Sequence, residues 1–72
     1  MSIDYALAKR LVTKHRRALT VAKSKGPREV VDAVTAFYAD FVDNDLPLPD
    51  AWHTWNVAYS DAIAALRREA WA

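Results

Sequence analysis

The side chains of this 72-residue chain that offer chemistry are its cations, and the chemistry they offer is recognition of an anion. Lys9, Arg10, Lys14, Arg16, Arg17, Lys23, Lys25 and Arg28 all lie within residues 1–28 against the single acid Asp4, whereas residues 29–66 carry seven acids and no Lys or Arg. A balance of about +7 is followed by one of about −7, and Arg67, Arg68 and Glu69 bring the formal net charge to +1. On a helix, Arg10, Lys14 and Arg17 form one edge of the polar face and Lys9, Arg16 and Lys23 the other, with Thr13 and Thr20 between them and no acid interleaved. Like charges three or four residues apart cost a helix a few tenths of a kcal/mol per pair. The arrangement therefore calls for an anion: either Glu29, Asp32, Asp40 and Asp43 of the following segment, as a rim of ion pairs, or an acidic surface from outside that Lys25 and Arg28 would also meet.

The remaining polar residues do not assemble a catalytic set. His15 falls in the middle of an apolar arc between Leu11 and Leu19, where a neutral imidazole hydrogen-bonded to a neighbour is expected, and His53 falls on a polar side. Neither an HxxxH nor an HExxH spacing nor a clustered carboxylate set is present, so no metal and no other cofactor is expected. There is no G-x-S-x-G elbow, no glycine-rich phosphate cradle and no nucleophile paired with a base. The chain is expected not to be an enzyme.

Helices must position the cations. The length suits one domain, 1–72, of a size that buries little more than about 60% of the unfolded chain's surface. Apolar residues make up 53%, and fourteen Ala, eight aromatics and one Gly favour helix over a loop-rich fold. Over residues 2–24, Ile3, Leu7, Ala8, Leu11, Val12, Ala18, Leu19 and Ala22 share one arc, with Ser2 as N-cap. Gly26 then takes the left-handed position past the helix end, and Pro27 opens the next helix. Residues 27–43 present Val30, Val34, Phe37 and Phe41 on one ridge and Val31, Tyr38 and Val42 on the next, an arc wide enough for two neighbours. Leu46-Pro47-Leu48-Pro49 forces an extended joint, since a residue before proline is pushed out of the helical region. The third helix, 49–71, carries Trp52, Trp55, Tyr59, Ile63, Leu66 and Ala70 as its stripe, with Asp50 at its positive end.

These elements predict an all-α fold, a compact three-helix bundle held by Leu7, Leu11, Leu19, Val34, Phe37, Phe41, Trp52, Trp55, Tyr59, Ile63 and Leu66. The absence of cysteine excludes disulfides and thiolate metal sites, and makes the cytoplasm the expected location. The opening residues lack a secretory pattern and no apolar run nears the ~20 residues that span a bilayer, so no membrane partner is expected.

The functional expectation is a non-catalytic protein-binding module that meets a partner's acidic surface through the eight cations of the first helix and its joint. Val31, Tyr38 and Val42, with Trp71 near the helix end, are the residues available for a homodimer. The alternative is a small nucleic-acid-associated protein contacting phosphates through the same face. Two features weigh against it: the basic helix comes first, whereas a helix-turn-helix reader presents a later one, and no exposed aromatics interleave with the bases.

The stretch Leu48-Pro49-Asp50-Ala51-Trp52-His53-Thr54-Trp55, with Ala58, Asp61-Ala62 and Arg67-Arg68 after it, resembles small uncharacterised proteins of actinobacteria and their phages. Val57-Ala58-Tyr59 stands where that pattern has a more charged filling. The resemblance implies no enzymatic activity. It implies an accessory phage protein that binds and modulates a host or phage protein.

Overall fold

The computed structural model describes residues 3–71, which form three helices: α1 (Tyr5–Lys25), α2 (Pro27–Asp43) and α3 (Trp52–Trp71). The expected Ser2 cap lies outside the described residues. Asp4 performs that role, its Oδ1 accepting from the Leu7 N–H at 2.9 Å, and its charge also suits the positive helix end.

One residue joins α1 to α2. The Gly26 N–H closes α1 on the Ala22 carbonyl (3.1 Å), while its own carbonyl accepts the first bond of α2 from the Val30 N–H (3.2 Å). Its φ of 145° and ψ of 176° lie in the extended positive-φ region that is essentially open to glycine alone, not in the left-handed helical region expected from the sequence. Pro27 at the start of α2 has no N–H to leave unsatisfied.

α2 ends in a Schellman motif. Asp45 takes a left-handed φ of 55°, its N–H bonds the Val42 carbonyl (3.1 Å), and the Leu46 N–H reaches the Phe41 carbonyl (2.9 Å). The apolar contact that accompanies this motif is made by Leu46 against Phe41, both buried. Leu46 is thus a core residue, although it reads as part of a linker. The chain then runs extended to Pro49. α3 starts at Trp52 rather than at Pro49, preceded by a tight turn in which the Trp52 N–H bonds the Pro49 carbonyl at 2.8 Å.

The helices form a bundle in which α2 lies in the middle, packed against α1 on one side and α3 on the other. Its centre is aromatic. Phe37 and Phe41 are fully buried, and Phe37 stacks on Trp55 with ring centroids 4.2 Å apart and on Trp52 at 5.8 Å. Leu11, Leu19 and Ala22 close the core from α1, Val30 and Val34 from α2, and Ala62 from α3. Five expected core positions are less enclosed. Leu7 and Trp52 pack at the edge, Ile63 and Leu66 are half-buried, and Tyr59 is exposed. α3 is rotated so that Ala62 is buried and Ala58 packs against the core.

α3 is also displaced along the bundle. Ala58, Asp61 and Ala62 share a surface hollow with Gly26 and Pro27, so they sit level with the α1/α2 corner. Residues 63–71 therefore continue about 13 Å beyond it at 1.5 Å per residue. This stagger accounts for a long axis of 50 Å against widths of 19 and 18 Å. Among the described residues, no helix is long and apolar enough to cross a membrane.

Candidate functional site

The eight cations of the first segment are all exposed, and the helical backbone sorts them into groups. Lys9, Arg10, Lys14 and Arg17 surround one shallow hollow of about 510 Å³ on the solvent face of α1, floored by Ala6 and Thr13. Lys23 lies at the corner hollow beside Pro27 and Asp61. Lys25 and Arg17 flank the groove between α1 and α2, near Glu29 and Ala33. Arg16 lies on the other edge of α1 and Arg28 in the first turn of α2. The hydroxyl protons of Thr13 and Thr20 are turned to the helix backbone. Each donates to the carbonyl four residues earlier, Lys9 and Arg16 respectively, at 3.1 Å.

Neutralisation by α2 is confined to a single acid. Among the described residues, Asp40 makes the ion pairs, its Oδ2 standing 3.6 Å from Lys14 Nζ and 2.5 Å from His15 Nε2. The expected rim partners Glu29, Asp32 and Asp43 have no cation within 4.0 Å there. Helix geometry gives the reason: Asp32 and Asp43 lie roughly 60–80° farther round α2 than Asp40, turned from α1 to solvent. Seven of the eight cations, all but Lys14, therefore have no carboxylate partner among the described residues.

His15 is buried, with 4% of its surface exposed, and Asp40 is what satisfies it. An ionised carboxylate only accepts, so the imidazole Nε2–H donates to it. The ring is held edge-on by Phe37, at 5.4 Å and 85°, and by Trp55, at 6.5 Å and 81°. The hydrogen bond from His15 holds the Asp40 carboxyl below the usual carboxylate range, helped by the charges of His15 and Lys14 and opposed by partial burial. This pair was only half legible: the buried histidine was expected to have a neighbour, but Asp40 belongs by pattern to the polar side of α2. Its position one residue before Phe41 and three after Phe37 is the signal that places it on the edge of the core face.

The residues expected for self-association occupy two places. Val31 is half-buried against the core, Tyr38 (47% exposed) leans on Trp52 at 5.7 Å, and Val42 (53% exposed) lies near Ile3 and Leu46. Trp71 is 88% exposed near the far end of α3, well separated from the other three. No group of three or more His, Cys, Asp and Glu side chains that could hold a metal occurs among the described residues. The site can thus bind through charge and shape. Comparison of the chain with family models, with curated proteins and with solved structures finds no match.

Proposed function

We propose that this chain is a non-catalytic protein-binding module whose docking surface is the solvent face of α1, taking an acidic surface of a protein partner. The observation that carries the reading is the set of seven cations left without a carboxylate partner, with Lys9, Arg10 and Arg17 gathered around one hollow beside Lys14. Cations held at helical spacing repel one another, and an external acid row relieves that repulsion while gaining charge-assisted contacts. From Lys9 to Lys25 the face runs about 24 Å, a length suited to a partner's helix or strand edge. A cytoplasmic accessory protein, of phage origin as its third helix suggests by resemblance, that modulates a host or phage protein fits this mode of action.

Duplex nucleic acid is the competing partner for the same cations. The exposed acids Asp32 and Asp43 on the neighbouring helix disfavour a long phosphate track. Titrating a glutamate-rich peptide and a random-sequence duplex over a range of salt concentrations separates the two. The module binds the peptide and shows no measurable duplex affinity even at low salt. Tight duplex binding whose log–log salt slope is near −4, as about four to five phosphate contacts give, overturns the reading.

A further inference from the structure

We propose that the open side of the α2/α3 pair, continued along the free end of α3, is a self-association surface on which a second copy of this chain docks with its α3 antiparallel. α1 covers only one of the two grooves that α2 and α3 make together. The other, lined by Val34, Thr35, Tyr38, Trp52, Asn56 and Tyr59, is an open hollow of about 220 Å³ in which both tyrosines are exposed. Ile63 and Leu66 continue the Trp52/Tyr59 face at helical spacing into the part of α3 that extends past the Gly26–Pro27 corner. Residues 67–71 of that segment are all exposed. A helix end of this length gains little from propensity alone, so its apolar face is suited to a partner from outside.

Charge selects the occupant. No Lys or Arg lies within residues 29–66, and Asp32 and Asp43 are exposed on the side of α2 turned from α1, whereas Arg67 and Arg68 on the free end are cations. An acidic partner is repelled along α2 and a basic one at the free end. A second copy carries both signs. With the two α3 helices antiparallel about a two-fold axis near Ile63, Ile63 meets its counterpart and Arg67 of each copy, about 60° round α3 from Trp52, comes level with Tyr59 of the other, while Arg68 lies farther from the contact. Such self-complementarity is what an isologous contact requires. The surface is distinct from the basic face of α1, and the strip from Trp52 to Ala70 is about 27 Å long.

Sedimentation equilibrium of the full chain tests this. The wild type is expected to be dimeric at about 100 µM, and Arg67→Glu/Arg68→Glu to weaken the dimer at least about tenfold while leaving the monomer's thermal melt unchanged. Because the chain has no cysteine, Ile63→Cys should form an intermolecular disulfide on mild oxidation, whereas Val57→Cys, on another side of α3, should not. A wild type that stays monomeric at this concentration, equal cross-linking at both positions, or a dimer indifferent to the Arg67/Arg68 reversal overturns the proposal. So does a dimer abolished by Arg10→Glu/Arg17→Glu, which would move the contact to α1.

Discussion

His15 Nε2 lies 2.5 Å from Asp40 Oδ2, a hydrogen bond that joins α1 to α2 across 25 residues of sequence and aims the imidazole edge at Phe37 and Trp55. Lys14, the next residue toward the N-terminus, stands on the same carboxylate oxygen from the solvent side. One acid thus satisfies a core histidine and anchors one cation of the basic face, so the register of α1 on α2 also fixes where the cations point.

The pair makes stability pH-dependent in a defined direction. A carboxylate whose folded pKa is depressed contributes stability that is present above its unfolded pKa, about 3.9, and is lost as the pH falls through the lower folded value. Denaturant unfolding between pH 5 and pH 2, taken as about those limits, should show stability declining through the acid range. Asp40→Asn should flatten that decline.

Removing the imidazole has a larger effect than removing its partner. His15→Ala opens a hole beside Phe37 and Trp55 and should cost about 2–4 kcal/mol, whereas Asp40→Ala leaves His15 short of an acceptor at the edge of solvent and should cost about 1–2 kcal/mol. Chemical denaturation of both variants at neutral pH reads the difference. Equal losses would mean that His15 contributes its hydrogen bond and not its packing.

Two backbone positions give effects of opposite sign. Asp45 bears the left-handed conformation of the Schellman motif and places a negative charge at the negative end of α2, so Asp45→Gly should stabilise by about 0.5–1 kcal/mol. Gly26 has φ 145°, and a Cβ there would stand 3.3 Å from Glu29 Oε2, so Gly26→Ala should destabilise by about 1–3 kcal/mol. Melting temperatures of the two variants, moving in opposite directions, check both.

Much of this architecture is written in local signals, and the rest is set by packing. Gly26-Pro27 and the Pro47/Pro49 joint mark the helix boundaries because each restricts its own backbone, and Phe37 and Phe41 lie on the face that periodicity selects. Periodicity weights the largest side chains, so it put Tyr59 inside. The fold instead turns Ala58 and Ala62 inward, a face of small side chains that such weighting passes over. Leu46 escaped notice because its burial follows from a left-handed Asp45, a conformation that Asn44-Asp45 permits without announcing. The basic face was legible as a cluster of residues, but its lack of neutralisation was not: that depends on how far round α2 each acid lies from the line of contact with α1.

The core should be least tolerant at Phe37, which is fully buried and stacks on Trp52 and Trp55. Phe37→Ala should cost about 3–5 kcal/mol and shift the tryptophan emission toward that of solvent-exposed indole. Phe37→Leu, which keeps most of the volume, should cost clearly less.

If α1 holds its cations for a partner and not for the fold, the melting temperature of Lys9→Gln/Arg10→Gln/Arg17→Gln and its affinity for a glutamate-rich peptide must respond independently. None of the three substituted residues has a carboxylate partner among the described residues, so the variant should melt at or slightly above the wild-type temperature, as repulsion along the helix is relieved, and should lose peptide binding. A variant that melts several degrees lower, roughly the shift that 1 kcal/mol produces in a domain of this size, and keeps its peptide affinity would contradict the account.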